Sequence, residues 1–258
     1  MGMFWKRKAA AEPAADRDYA IPPGRRVYAI GDIHGRDDLF HELIDLIRSD
    51  NSAHEDAETT IILLGDLVDR GPASASVIDR AIALRAEFPD TRLLIGNHEE
   101  CFLAALTGDA RRVGYFLRIG GDATVRSYWG APLDGETVDS IAAGLPHRVP
   151  AAHVDFLGRG EDMIEIGDYI FAHAGIRPGV AITRQSVADL RWIRDEFLDD
   201  GRDHGVMVVH GHTIRRAVDE RPNRIGIDTG AFQSGVLTAI VLEGTGRRFL
   251  QTGGDQTP

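Results

Sequence analysis

The sequence predicts an α/β fold in which one sheet packs on a second, and three observations support that expectation. "RRVYAIGD", "TTIILLGD" and "TRLLIGN" are short apolar runs that each end in glycine and a polar residue. Behind each comes a stretch with the spacing of a helix. Later apolar runs, "DYIFAHAG", "GVMVVHGHT", "NRIGIDTG" and "GVLTAIVLEG", follow with one helix-like stretch, "RQSVADLRWIRDEFL", interposed, which indicates the second sheet.

In chain order, the first run hands over to "DDLFHELIDLIRS", where Leu39, Leu43 and Ile47, with Phe40 and Ile44, share one helical face. The second is followed by the loop "LVDRGP" and the helix "ASASVIDRAIALRAEF", and the third by "HEECFLAAL". These strands deliver polar residues at their C-terminal ends, where α/β sheets keep their ligands. From about Thr107 to Asp168 the pattern weakens, so an inserted cap of loop and short helices is expected over residues 107–167, with "IGGDATVRSYWG" as a loop. Residues 1–24 are expected to form a mobile arm, 25–250 the catalytic domain and 251–258 a disordered end.

The chain has 258 residues, 43% of them hydrophobic, and a net charge of -11, an ordinary globular composition with an acidic bias. An acidic surface repels polynucleotide phosphates, so no nucleic-acid partner is expected. No run approaches membrane-spanning length, so no membrane partner is expected either. The single cysteine, Cys101, has no partner for an intramolecular disulfide and reads as a buried apolar residue. A reducing cytoplasm is the expected compartment.

Asp32 and His34, Asp66, Asn97 and His98, His173, and His212 all fall directly behind predicted strands. Taken singly, each is more simply a turn or capping residue. Their repetition at strand ends that converge on one rim is what points to a metal site. Mixed carboxylate and imidazole donors suit manganese, iron or zinc better than calcium. Asp32, His34, Asp66, Asn97, His173 and His212 are too many ligands for one catalytic ion that keeps an open position. Two ions sharing a carboxylate would use them all and would activate water for hydrolysis of a phosphate ester.

"GDIHG", "GDLVDRG", "GNHE", "HAG" and "HGHT", in that order, resemble the phosphoprotein phosphatase family of the calcineurin-like metallophosphoesterases, in particular its bacterial and phage serine/threonine phosphatase branch. The resemblance runs from about Arg25 to Gly244. It implies a sandwich of two mixed sheets flanked by helices (αββα), with a di-metal centre at its top and manganese as the expected pair of ions. It assigns Asp32 and His34 to the first ion, Asp66 to the bridge, and Asn97, His173 and His212 to the second. Asp69 would orient a catalytic histidine, His98 would protonate the leaving alkoxide, and Arg70 would grip phosphate oxygens. General chemistry agrees, since an alkoxide leaves poorly without a proton and a planar guanidinium matches phosphate. "LRWIRDEF" resembles the stretch that supplies a second phosphate-binding arginine, which points to Arg194, with Arg177 as the other candidate. An arginine on a charged helix can equally pair with Asp195 or Glu196.

His210 would support His212 from behind, whereas His41, His54, His147, His153 and His204 read as surface or capping residues. Ile95 stands where the family often has a basic residue. The function expected first is removal of phosphate from phosphoserine and phosphothreonine in a protein or peptide substrate. The alternative is hydrolysis of a dinucleoside polyphosphate (Ap4A-type) or another phosphoanhydride, and a non-catalytic binding scaffold is a remote third.

Overall fold

The computed structural model describes residues 18–253. The elements are β1 (Arg25–Ile30), α1 (Asp37–Ala53), β2 (Glu58–Leu63), α2 (Ser74–Glu87), β3 (Thr91–Leu93), α3 (Asn97–Ala105), α4 (Ala110–Phe116), α5 (Asp122–Trp129), α6 (Val138–Arg148) and α7 (Ala151–Gly158), then β4 (Met163–Ile166), β5 (Tyr169–Ala172), α8 (Val187–Trp192), α9 (Asp195–Leu198), β6 (Met207–His210), β7 (Asp219–Arg221), β8 (Arg224–Gly226), α10 (Ala231–Ser234), β9 (Thr238–Glu243) and β10 (Gly246–Gln251). They form two mixed sheets of five strands, in the orders β10-β9-β1-β2-β3 and β4-β5-β6-β8-β7. The predicted αββα sandwich is therefore the architecture found.

Each sheet has a run of three parallel strands, flanked by the antiparallel β9 and β10 on one side in the first and by antiparallel β4 and β7 on both sides in the second. In the first, β1, β2 and β3 run parallel, and in the second β5, β6 and β8 do. Parallel strands point their C-terminal ends to one edge, so six strand ends open on the same rim. Between the sheets, alternate residues such as Val27, Ala29, Ile62 and Leu64 meet Phe171, Val209 and Ile225. Opposite residues of the first sheet, including Tyr28, Ile30, Ile61 and Leu63, are covered by α1, α2 and the cap. Outward residues of the second, Ile170, Ala172 and Val208, meet Leu190, Ile193 and Phe197. Period-two alternation thus puts both faces of each central strand in a core.

The run "GVLTAIVLEG", expected in the second sheet, instead forms β9 beside β1 in the first, antiparallel and with Arg26 opposite Glu243. Its register explains the choice: the buried Arg26 guanidinium bonds both Glu243 oxygens, at 2.8 and 3.0 Å, and the carbonyl of Glu55. Residues 1–17 and 254–258, the bulk of the expected arm and tail, lie outside the described residues. Residues 18–24 pack instead of hanging free, with Tyr19 and Ile21 buried and the Ile21 N–H on the Gly244 carbonyl. At the other end Thr252 is buried and donates and accepts across the β9–β10 sheet end.

The expected cap is a helical layer, α4 to α7, whereas β4, within its expected range, pairs with β5 in the second sheet. "IGGDATVRSYWG", expected as a loop, is a widened turn over Leu117–Gly121 followed by α5. Gly120, at φ 109, redirects the chain there, and its carbonyl accepts from Arg70 N. His153, expected at the surface, is buried between the Tyr128 hydroxyl (2.8 Å) and Asp79 (2.9 Å), tying α7 to α5 and α2. Phe102 of α3 joins this layer to the core by stacking on Phe116 and Tyr128, with centroids 5.4 and 5.8 Å away. Since Phe102 is fully buried, Phe102→Ala is expected to lower the unfolding free energy by about 3–5 kcal/mol in urea titrations. A loss near zero would mean that the cap is not anchored through this ring.

Candidate metal centre

At the shared rim the backbone turns sharply to aim side chains inward. Among the described residues, the non-glycine positions with left-handed backbone are His34 (φ 46), Asp66 (φ 51), Asp69 (φ 74), Arg70 (φ 67) and His212 (φ 62). Each such position costs on the order of 1 kcal/mol or more, and all five are residues singled out from the sequence. Two glycines make room for the carboxylates. A Cβ on Gly96 would lie 2.2 Å from Asp66 Oδ1, and one on Gly211 would lie 2.0 Å from Asp32 Oδ1.

Glu99 holds the turns in place. Its fully buried carboxylate accepts Asp66 N (2.7 Å) and Gly96 N (3.0 Å) on Oε2, and Leu67 N (2.7 Å) and Val68 N (3.3 Å) on Oε1. Burial, then the Asp66 charge, push this carboxyl up to about 7, against the pull of His173 and the backbone donors. The turn after β2 is also bonded to the turn after β1, where Ile33 N and His34 N donate to the Asp66 carbonyl at 3.1 and 2.8 Å. Three strand ends are thereby locked together.

Asp66 lies at the junction of two donor groups. Ligand atoms of His34, Asp66 and His98 lie within 4.8 Å of one another, and so do those of Asp66, His173 and His212. His34 Nδ1 donates to the Val68 carbonyl (2.7 Å) and His173 Nδ1 to the Leu64 carbonyl (2.8 Å), which leaves both Nε2 atoms as acceptors, with their lone pairs available to a metal. Those lone pairs face Asp66: His34 Nε2 is 3.6 Å from Oδ2, and His173 Nε2 is 3.4 Å from Oδ1. Acceptors facing acceptors in a buried space are what divalent cations resolve. Burial holds His173 down at about 4 and His212 at about 2, so their rings stay neutral and able to ligate.

Asn97 Oδ1 sits 3.1 Å from His173 Nε2 and 2.8 Å from His212 Nδ1, and buried His212 Nε2 has no partner. Asp32, expected beside His34, lies outside the tight groups; its oxygens accept His212 N at 3.2 and 3.0 Å. Burial, then the charges of Asp228 and Asp66, push the Asp32 carboxyl well up. The donor set fits two divalent ions.

His98 Nδ1 meets Asp69 Oδ2 at 2.6 Å, and its Nε2 accepts from Arg70 at 3.1 Å. Arg70 also donates to His34 Nε2 (2.8 Å), and its guanidinium lies 5.0 Å from the Phe232 ring centroid. Arg194 is exposed and, among the described residues, its guanidinium has no hydrogen bond or ion pair, yet its charge contributes to lowering His98, His173 and His212. Arg177 is bound to Asp189 and Glu196, both at 2.5 Å, and is not free to serve. His210 does not bond His212; it bonds the Gly211 carbonyl and packs on Phe197.

Sequence reasoning missed three residues here. Glu99 is the last letter of "GNHE", and its signal was the motif itself. Asp228 ends β8's run as Asp32 ends β1's; it is buried, with Oδ2 unpartnered, and burial first of all pushes it up to about 6. Phe232 gave no signal, because its place over Arg70 and 5.5 Å from the His34 ring centroid is purely tertiary.

Residues 25–225 match the family model described as calcineurin-like phosphoesterase. A symmetrical bis(5'-nucleosyl)-tetraphosphatase of Delftia acidovorans is 33% identical over 152 residues, 59% of this chain and 45% of that protein. The chain thus spans about half the length of such curated relatives. One of the same name from Paracidovorax citrulli is 45% identical over a 264-residue alignment, covering 83% of this chain and 91% of the relative. Among solved structures, a candidate diadenosine tetraphosphatase has TM-score 0.62 at 23% identity, over 92% of this chain and 100% of that one. A serine/threonine phosphatase from Saccharomyces cerevisiae has TM-score 0.57 at 16% identity, over 92% and 82%. At these identities the two structures speak for the fold.

Glu99→Gln replaces one acceptor oxygen with a donor that faces backbone N–H groups. It is expected to cost roughly 2–3 kcal/mol in urea unfolding and to weaken divalent-ion binding on the order of tenfold or more by calorimetry. Unchanged ion affinity would show that the carboxylate does not set the site.

Proposed function

Because the chain belongs to the calcineurin-like phosphoesterases, a family of metal-dependent hydrolases, we propose that it splits bis(5'-nucleosyl) tetraphosphates symmetrically, adding water across a P–O–P bridge to give two nucleoside diphosphates. The observation that carries this choice is the relative 45% identical over 91% of its own length. It moves the proposal from the phosphoprotein reading expected from the motifs to that reading's alternative. A cavity of about 390 Å³ lined by Arg70, Pro72, Ala123, Arg126, Ala131 and Pro132 adds support, because it adjoins the phosphate-facing arginine and joins apolar walls to a second cation. That volume falls in the roughly 300–1,000 Å³ range of small-ligand sites. One nucleoside of the substrate would lodge there.

In this proposal Asp32, His34 and Asp66 would hold one ion, and Asp66, Asn97, His173 and His212 the other; manganese is the proposed metal and the cytoplasm the proposed compartment. Bound divalent ions supply positive charge to phosphate oxygens and make a bound water more acidic. The chain's own residues do the rest. Arg70 and Arg194 orient the bridging phosphates, Arg70 with a planar fork and Arg194 with donors that carry no competing bond among the described residues. When Arg70 turns to phosphate, His98 Nε2 is released. His98, kept upright by Asp69, is then the group that exchanges a proton with the leaving oxygen.

With manganese supplied, kcat/KM for diadenosine tetraphosphate is expected to exceed that for a phosphoserine peptide by at least about a hundredfold, with ADP as the product. A dominant phosphopeptide activity would overturn the proposal.

A further inference from the structure

Asp69 is itself held, and the hydroxyl that holds it comes from the cap. Thr124 Oγ1 donates to Asp69 Oδ1 at 2.6 Å, and Asp69 N donates back to Thr124 Oγ1 at 2.8 Å and to Ser74 Oγ at 3.1 Å. Ser74 Oγ lies 2.9 Å from Thr124 Oγ1. A threonine hydroxyl has one proton. Since the Asp69 carboxylate takes it, Ser74 must be the donor to Thr124. Proton directions are thereby fixed along the chain from Ser74 to Thr124 to Asp69, with His98 Nδ1 donating to the other Asp69 oxygen.

Ser74, Thr124, Asp69 and His98 are all buried, so water does not substitute for a lost partner. The helix that carries Thr124 is secured on both sides of it. Gly120, just before α5, accepts Arg70 N at 3.0 Å, and Ser127 Oγ, one turn later, accepts Ala75 N at 3.2 Å. Tyr128 adds its bond to His153. The cap therefore presents one hydroxyl, at a fixed point, to the carboxylate that orients His98.

We infer that Thr124 is a positioning residue. It acts through Asp69, setting the carboxylate plane so that Oδ2 meets His98 Nδ1 and Nε2 faces the leaving oxygen. It touches no substrate. A purely structural hydroxyl would give a different signature: its removal would lower stability and slow all substrates alike, leaving the Asp69–His98 bond unchanged. The inference rests on the proposed role of His98, so the experiment tests the two separately.

Wild type, Thr124→Val, Thr124→Ser and His98→Asn are compared, with manganese for the kinetics and without it for NMR of ¹⁵N-histidine-labelled protein, where His98→Asn assigns the downfield Nδ1–H proton. Thr124→Val is expected to move that proton upfield and to lower kcat, with KM unchanged, on the order of tenfold more on phenyl phosphate than on p-nitrophenyl phosphate, whose leaving group needs less protonation. Thr124→Ser is expected to restore both readouts. An unmoved proton, or equal losses on both substrates, in Thr124→Val overturns the positioning role. If His98→Asn itself loses equally on both substrates, the role given to His98 fails instead. Should Thr124→Val not fold, Thr124→Ala, which also removes the hydroxyl, is read the same way: a shifted proton supports the inference and an unmoved one overturns it.

Discussion

The rim of this sandwich depends on one buried carboxylate, that of Glu99. A chain leaving a strand can present its side chains inward only if it turns at once, and such turns leave N–H groups without ladder partners. Glu99 gathers four of them, from both the turn after β2 and the turn after β3. Its charge makes these bonds stronger than neutral ones, which offsets the cost of removing a carboxylate from water. Together with the bond from His98 N to Asp66 Oδ1 at 3.1 Å, it holds Asp66 and the Asn97–His98 pair in one space.

That clamp also accounts for where the strain lies. Left-handed backbone at Asp66, Asp69 and Arg70 falls in the segment held by Glu99, Ser74 and Thr124, and the same backbone at His34 falls in the turn bonded to Asp66. Strain persists where surrounding bonds over-determine it. The result is a carboxylate, Asp66, with one oxygen towards each of two imidazole groups, and an arginine and a histidine ranged beside it. Charge imbalance in the donor set, with Asp32, Asp66 and Asp228 all pushed up by burial, points the same way.

Much of this was legible in the sequence because apolar runs ending in Gly-Asp, Gly-Asn or a histidine announce strand ends, and parallel strands must bring their ends together. The α1 face of Leu39, Phe40, Leu43, Ile44 and Ile47 was readable for the same reason, since periodicity survives any tertiary context. What escaped were features set by pairing between distant segments. β9 joined β1 because buried Arg26 needs Glu243, a contact across 217 residues. The helix α5 was hidden behind two glycines, and Thr124, which it carries, gained its meaning only from Asp69 folding against it. Tyr19 and Ile21 looked like part of a loose arm, yet they complete the inter-sheet core.

Anomalous diffraction at the manganese edge, on crystals grown with the ion, tests the central claim most directly. The account predicts two peaks on opposite sides of the Asp66 carboxylate, roughly 3.5–4 Å apart as in paired-ion phosphate enzymes. A single peak, or peaks that do not share Asp66, would contradict it.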